Sequence, residues 1–202
     1  MNKLGKGLMI LGILMLTGAL VLFLYNQQEA AEAERAAENL MPKLVEQIQQ
    51  NEALEPTIPV DLPQIGTEIE PMKTVEIDGH AYIGFLSIPS LELELPIMAD
   101  WSYPKLRIAP CRYAGTIKGE DLVLMAHNYA RHFGKISTLT AGDEVFFMDV
   151  DGVTTVYQVV ANDILEPKAV EEMTAGYYDL TLFTCTYGGK TRVTVYCDEV
   201  KP

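Results

Sequence analysis

The chain has 202 residues, 49% of them apolar, and a formal net charge of −13. That balance excludes a nucleic-acid binder, whose phosphate contacts need clustered Lys and Arg, and acids scattered along the chain read as a solvated surface. Cys111, Cys185 and Cys197 form no C-x-x-C pair, which excludes a disulfide scaffold and a paired-cysteine zinc site, and an odd count leaves a thiol unpaired in the monomer.

Residues 1–7, with Lys3 and Lys6, precede an uncharged apolar run from Leu8 to Tyr25. At a rise of about 1.5 Å per residue the run reaches roughly 27 Å, close to a bilayer core of about 30 Å. Lysines before it, and Glu29, Glu32 and Glu34 after it, place the N-terminus in the cytoplasm and the bulk of the chain outside. The expectation is an uncleaved single-pass signal-anchor over 8–25. A cleaved signal peptide is the alternative, but the run is longer than the usual apolar region of one.

Residues 26–72 form the next unit. The stretch QQEAAEAERAAENLMPKLVEQIQQNEA is rich in helix formers, with Pro42 expected to break or kink it. It reads either as a helical stalk that lifts the following domain off the membrane or as a partly disordered spacer. LEPTIPVDLPQIGTEIEPM is an extended, proline-rich linker. A folded domain then occupies 73–202.

Within 73–202 the pattern becomes short alternating runs separated by turns. Strands are predicted over 74–79, 81–89, 93–98, 111–117, 121–128, 143–150, 153–164, 180–185 and 192–200. Asp151-Gly152 is a hairpin turn. Short helical stretches are expected at 101–106, 134–139 and 168–173. The fold class is all-β, a sandwich or closed barrel.

The stretch LTLFTCTYGGKTRVTVYC carries the chemistry. Alternation puts Cys185 on one face with Thr181 and Phe183, at a strand end beside a glycine-pair loop. Arg192 opens the next strand and faces away from Val193, Val195 and Cys197. Cys197 therefore reads as a small core residue. A nucleophilic thiol needs a proton acceptor. His80 follows Asp78-Gly79 in a turn and reads as surface. His127 ends the apolar run DLVLMA, so a strand fixes its position, whereas His132 lies in the loop beyond.

Thr181-Leu182-Phe183-Thr184-Cys185, with His127 upstream in LMAHNYARHFGKISTLTAGDEVFF and Arg192 downstream, resembles the sortase family motif T-L-x-T-C with its histidine and arginine. YIGFLSIPSLELELPI is similar to the family's opening strands, and the likeness spans 74–200. Ala126 stands where family members often have glycine before the histidine. The resemblance implies a closed eight-stranded β-barrel and a cysteine transpeptidase of Gram-positive cell surfaces. It implies Cys185 as nucleophile, His127 as general acid and base, and Arg192 as oxyanion or substrate holder. Thr184 and Tyr187 are candidate substrate-binding residues. The implied partners are secreted proteins with a C-terminal, LPxTG-like sorting signal and an amine acceptor on a cell-wall precursor or pilin.

Within the family, the short segment 165–179 lacks room for a long helix of the class B kind. The expectation is a housekeeping or class D-like member, since no apolar helix follows the last strand; class B-like is the second choice. DLPQIG in the linker is a candidate cover for the groove. No cofactor is expected. Calcium is the one metal the resemblance brings in, and Glu166, Glu171 and Glu172 are the carboxylates near its loop. Cys111 is a core residue or a partner for Cys197 in an oxidising exterior. The alternatives are a catalytically inactive, membrane-anchored β-barrel binding module and a plain cysteine hydrolase.

Overall fold

The computed structural model describes residues 3–54 and 72–201. The proline-rich linker, including DLPQIG, lies almost wholly outside the described residues. One long helix, α1 (Lys3–Leu54), is followed by strands β1 (Val75–Ile77), β2 (His80–Ile88), β3 (Leu93–Met98), β4 (Cys111–Ala114) and β5 (Leu122–Met125). After these come β6 (Glu144–Asp149), β7 (Thr154–Leu165), β8 (Leu180–Cys185) and β9 (Arg192–Glu199). Each strand overlaps a run read from alternation. Two short helices, α2 (Tyr103–Leu106) and α3 (Val170–Met173), and a 3-10 turn at Phe133–Thr138 occupy the three helical stretches expected.

The strands hydrogen-bond in the order β1-β2-β3-β4-β5-β8-β9-β7-β6, and β6 returns to β2. Strands β2 to β9 thus close into an eight-stranded barrel, the architecture expected. The short β1 pairs with the start of β2 (Val75 opposite Tyr82), and β6 takes over from Gly84 (opposite Asp149). Closure depends on Gly84. It sits at a register shift with φ +142, and a Cβ there would stand 2.0 Å from the Met148 carbonyl oxygen. The β6–β7 hairpin turns where expected: the Asp149 carboxylate accepts from the N–H groups of Asp151 and Val153, both at 2.9 Å, and Gly152 supplies φ +81.

Alternation decides the core. Leu93, Leu95 and Ile97 of β3, Leu122 and Leu124 of β5, and Leu180 and Leu182 of β8 fill the interior. Met98 points the other way, to a second cluster on the outer face. That outer cluster is where α1 lands. Leu40, Leu44 and Ile48 pack there with Val75, Ile77, Tyr82 and Met98. With Ala33 and Ala37 they form one buried stripe at spacings of three and four residues. Full burial of each large side chain contributes about 1.5–3 kcal/mol.

Two expectations about α1 change. The helix runs through Pro42 without a break. A proline inside a helix costs about 3 kcal/mol; here Leu40 and Leu44, on either side of it, are packed on the barrel and offset that cost. Residues 33–48 also do not hold the domain at a distance, because they lie against it, with Lys43 Nζ 2.6 Å from Asp78 and Asn51 donating to the Val150 carbonyl at 3.1 Å. Over 8–25 the large apolar side chains are exposed. The most apolar window of α1 has a mean hydropathy of 2.6 and is 0% buried, which is compatible with a single-pass membrane anchor.

Candidate active site

The β8–β9 hairpin places the thiol and the guanidinium. Its antiparallel register sets Cys185 opposite Arg192, and directly opposed side chains have Cβ atoms about 4.5–5.5 Å apart on the same face. Below them the loop is latched. Thr186 and Thr191 join through their hydroxyls at 2.9 Å and by two backbone contacts, Thr186 N–H to Thr191 O at 3.0 Å and Thr191 N–H to Thr186 Oγ1 at 3.1 Å. Gly188 and Gly189 turn the chain at φ +80 and +69. Arg192 Nη1 donates to the Gly189 and Thr191 carbonyls at 3.2 and 3.1 Å, so the loop backbone orients the guanidinium.

β8 brings in the third group from its other edge. It runs parallel to β5, with Met125 opposite Phe183. The Ala126 N–H donates to the Phe183 carbonyl at 3.3 Å, and the Thr184 hydroxyl donates to the Ala126 carbonyl at 2.8 Å, which carries the pairing past the end of β5. His127 lies two residues beyond the end of β5, and Cys185 two residues beyond Phe183 on β8. Cys185 and Arg192 thus face each other across the β8–β9 hairpin, and His127 follows β5, the strand on the other edge of β8.

The thiol faces outward, with Thr181 and Phe183, while Leu180, Leu182 and Thr184 turn inward. Phe183 joins Val123, Leu165 and Met173 in a small outer cluster. Tyr113 meets Phe183 edge-on at 5.2 Å, and Trp101 lies 5.7 Å beyond Tyr113. An apolar, partly aromatic floor thus leads away from the sulfur. Thr184, expected to position substrate, is 3% exposed and ties β8 to β5 instead. Tyr187 is 97% exposed at the loop tip. It rims a cavity of about 630 Å³ between that loop, the segment 128–131 and the stretch of α1 from Phe23 to Glu34.

His127 is held differently, by a loop. The Phe133 N–H donates to the His127 carbonyl at 3.2 Å, and the N–H groups of His132 and Gly134 donate to the Tyr129 carbonyl at 3.0 and 2.9 Å. Phe133, buried in the barrel core, plugs the loop down. Gly134 has to be glycine, since a Cβ would stand 2.6 Å from the carbonyl oxygens of both Asn128 and Tyr129. The His127 ring lies 4.8 Å from the Tyr129 ring at a tilt of 30°, and Tyr129 lies 5.5 Å from His132. Burial pushes the His127 imidazole below its ordinary 6.5, the Glu29 carboxylate opposes that shift, and Arg107 adds to it. His132 is fully buried with neither ring nitrogen partnered. Burial, and then the neighbouring His127, holds it down at about 4.

The other candidates separate cleanly. All three cysteines are free. Cys197 lies in the barrel interior and Cys111 in the outer cluster under α1, which rules out their pairing. Burial pushes both thiols up to about 12, so neither is a ready nucleophile. Glu166, Glu171 and Glu172 are exposed, and no group of three His, Cys, Asp or Glu side chains that could hold a metal ion occurs among the described residues. Three residues at the site escaped the sequence reading. Tyr129 and Gly134 follow His127 closely and were legible only as loop residues. Glu29 reaches the site from far up the chain, and no local pattern points to it.

A sortase domain family model matches residues 86–200. Among solved structures, sortase C1 from Streptococcus suis is 27% identical, with a TM-score of 0.53 over 61% of this chain and 75% of that one. Sortase C from Streptococcus pneumoniae, at 23% identity, covers 80% of this chain and 90% of that one with a TM-score of 0.55. Sortase C from Clostridium perfringens SM101, at 20% identity, covers 88% and 97% with a TM-score of 0.54. The last two show the fold alone. Among curated proteins no significant match is found.

Proposed function

The chain belongs to the sortase family, and from that premise we propose that it is a transpeptidase in which Cys185, His127 and Arg192 do the chemistry. The observation that supports this reading is the sheet order: the β8–β9 register opposes Cys185 to Arg192, and His127 follows β5, the strand on the other edge of β8. In the proposed reaction the Cys185 thiolate attacks the carbonyl of the scissile Thr–Gly bond in an LPxTG-like sorting signal. Charge develops on the carbonyl oxygen, and the Arg192 guanidinium stabilises it. His127, protonated, gives its proton to the departing glycine amine, leaving a thioacyl enzyme. An incoming amine attacks the thioester, His127 takes its proton, and Cys185 leaves as the thiolate, which restores the starting pair. The donor peptide lies along the apolar floor formed by Phe183, Tyr113 and their neighbours.

The donor is a secreted protein bearing a C-terminal sorting signal, and the acceptor is an amine of a cell-wall precursor or a pilin. The anchor helix lies with its N-terminus in the cytoplasm and the barrel on the outer surface.

The test is a sorting-peptide library offered to the full chain in detergent, with an added amine. The full chain is needed because α1 completes the outer cluster. Cleavage with capture of the acyl group by the amine supports the transpeptidase. Cleavage to the free acid alone, with amine present, supports a hydrolase. No cleavage, and no labelling of Cys185 by a thiol probe, supports a binding module.

A further inference from the structure

The anchor helix reaches the site. Glu29, one turn past the end of the apolar run, is only 24% exposed, and its Oε1 lies 3.5 Å from Arg107 Nη2. The Tyr25 hydroxyl donates to the same oxygen at 3.4 Å, and Glu29 and Tyr129 line one cavity between α1 and the histidine loop. Tyr129 is the ring on which His127 lies, at 4.8 Å. Farther along, Arg131 of the same loop pairs with Glu34 of the helix at 2.9 Å. One carboxylate of α1, Glu34, thus pairs with the histidine loop from outside, and Glu29 stands in the wall of the same cavity as Tyr129, while Phe133 grips the loop from inside the barrel.

We propose that Glu29 is a positioning residue of the active site: fixed by Arg107, it accepts the Tyr129 hydroxyl and so holds the aromatic face against which the His127 imidazole is aligned. This rests on the reading of His127 as the acid and base of the reaction. The catalytic centre is then shared between the barrel and the anchor, and the His127 imidazole depends on a helix that the family domain match, which begins at residue 86, does not include. The effect is one of alignment and of charge. A face held by a hydrogen bond restricts ring tilt, and a misplacement of about 1 Å at a reacting group costs up to roughly a hundredfold in rate. The nearby carboxylate also favours the protonated imidazole, against burial and against Arg107.

The titratable and charged groups brought to His127 are Glu29 of α1, Arg107 just after α2, and Tyr129 and His132 of its own loop. Among them Glu29 is the one carboxylate, so its removal has a definite sign. The experiment uses the full chain in detergent with carbon-13-labelled histidine. The chain holds three histidines, and the spectrum of His127→Gln assigns the one of interest. In Glu29→Gln the His127 titration is expected to move to lower pH, while Tyr129→Phe, which keeps the ring and loses the hydroxyl, moves it less. Turnover of a sorting peptide is expected to fall roughly tenfold in Tyr129→Leu and to be partly restored in Tyr129→Phe. An unmoved His127 titration in Glu29→Gln overturns the proposal, as does equal turnover in the Leu and Phe variants. The titration needs no substrate, so it decides the positioning role even if the wild-type chain transfers nothing, the outcome that would instead defeat the transpeptidase reading. Glu29→Gln is isosteric and partly exposed, and an unchanged thermal transition checks that the fold is kept.

Discussion

The two halves of the site are built by opposite means. Cys185 and Arg192 share one hairpin, and their relation is a matter of register: the cross-strand pair and the threonine latch beneath it lie within residues 185–192. His127 hangs from a loop whose shape depends on Phe133 in the core, Gly134 at a backbone crossing, and Glu29 and Glu34 from a distant helix. The hairpin half is set locally and resists change. The loop half collects contacts from three parts of the chain and is the part that other segments can tune.

The largest effect is expected at the hairpin. Cys185→Ala should abolish transfer while the thermal transition stays put, because the thiol sits at a strand end on the outer face and supports no core packing. Any transfer remaining in the folded variant would place the nucleophile elsewhere. Arg192→Ala should cost on the order of 100- to 1,000-fold in kcat, the usual loss for an oxyanion donor, and Arg192→Lys should recover only part of it, since a point charge does not replace the fork. Full activity in Arg192→Lys would reduce the residue to simple electrostatics.

Effects in the loop half should be smaller and graded. Gly134→Ala pushes a methyl into the carbonyls of Asn128 and Tyr129, and kcat should fall roughly tenfold as His127 shifts while Cys185 alkylation stays near wild type. Equal losses in both readouts would mean that the two halves move together. The last effect concerns stability rather than rate. Folded His132 titrates at about 4 and its unfolded form near 6.5. Between those values only the unfolded chain takes the proton. The His132 contribution is therefore intact above about pH 6.5 and is lost as pH falls toward 4, on the order of 3 kcal/mol in all. Thermal melts of wild type and His132→Leu across that range should converge toward acid pH. Parallel curves would show that His132 takes up its proton in the folded state.

The barrel was legible because its strands alternate and its turns are chemically marked, as at Asp151-Gly152. The hairpin half of the site was legible for the same reason: Cys185 and Arg192 are close in sequence, and parity gives their faces. Thr184 was misjudged although parity with Leu180 and Leu182 already pointed it inward. What local pattern could not give was the parallel pairing of β5 with β8, which joins segments far apart in the chain. The docking of α1 was half visible. Its stripe at Ala33, Ala37, Leu40, Leu44 and Ile48 has helical spacing, but alanine and glutamate dominate the stretch and Pro42 argued for a break. Glu29 carried no signal, because its meaning depends on Tyr129 and Arg107, which only the folded chain brings to it.

One hydrogen bond described above bears on how the enzyme comes into being. The Thr184 hydroxyl meets the Ala126 carbonyl across 58 residues of sequence, and the intervening chain holds β6, β7 and α3. Contacts of such long separation close slowly, since chain entropy is spent before they reward it. The tie between β8 and the end of β5 is therefore expected to close late in folding, and the surroundings of Cys185 and His127 are completed only with it.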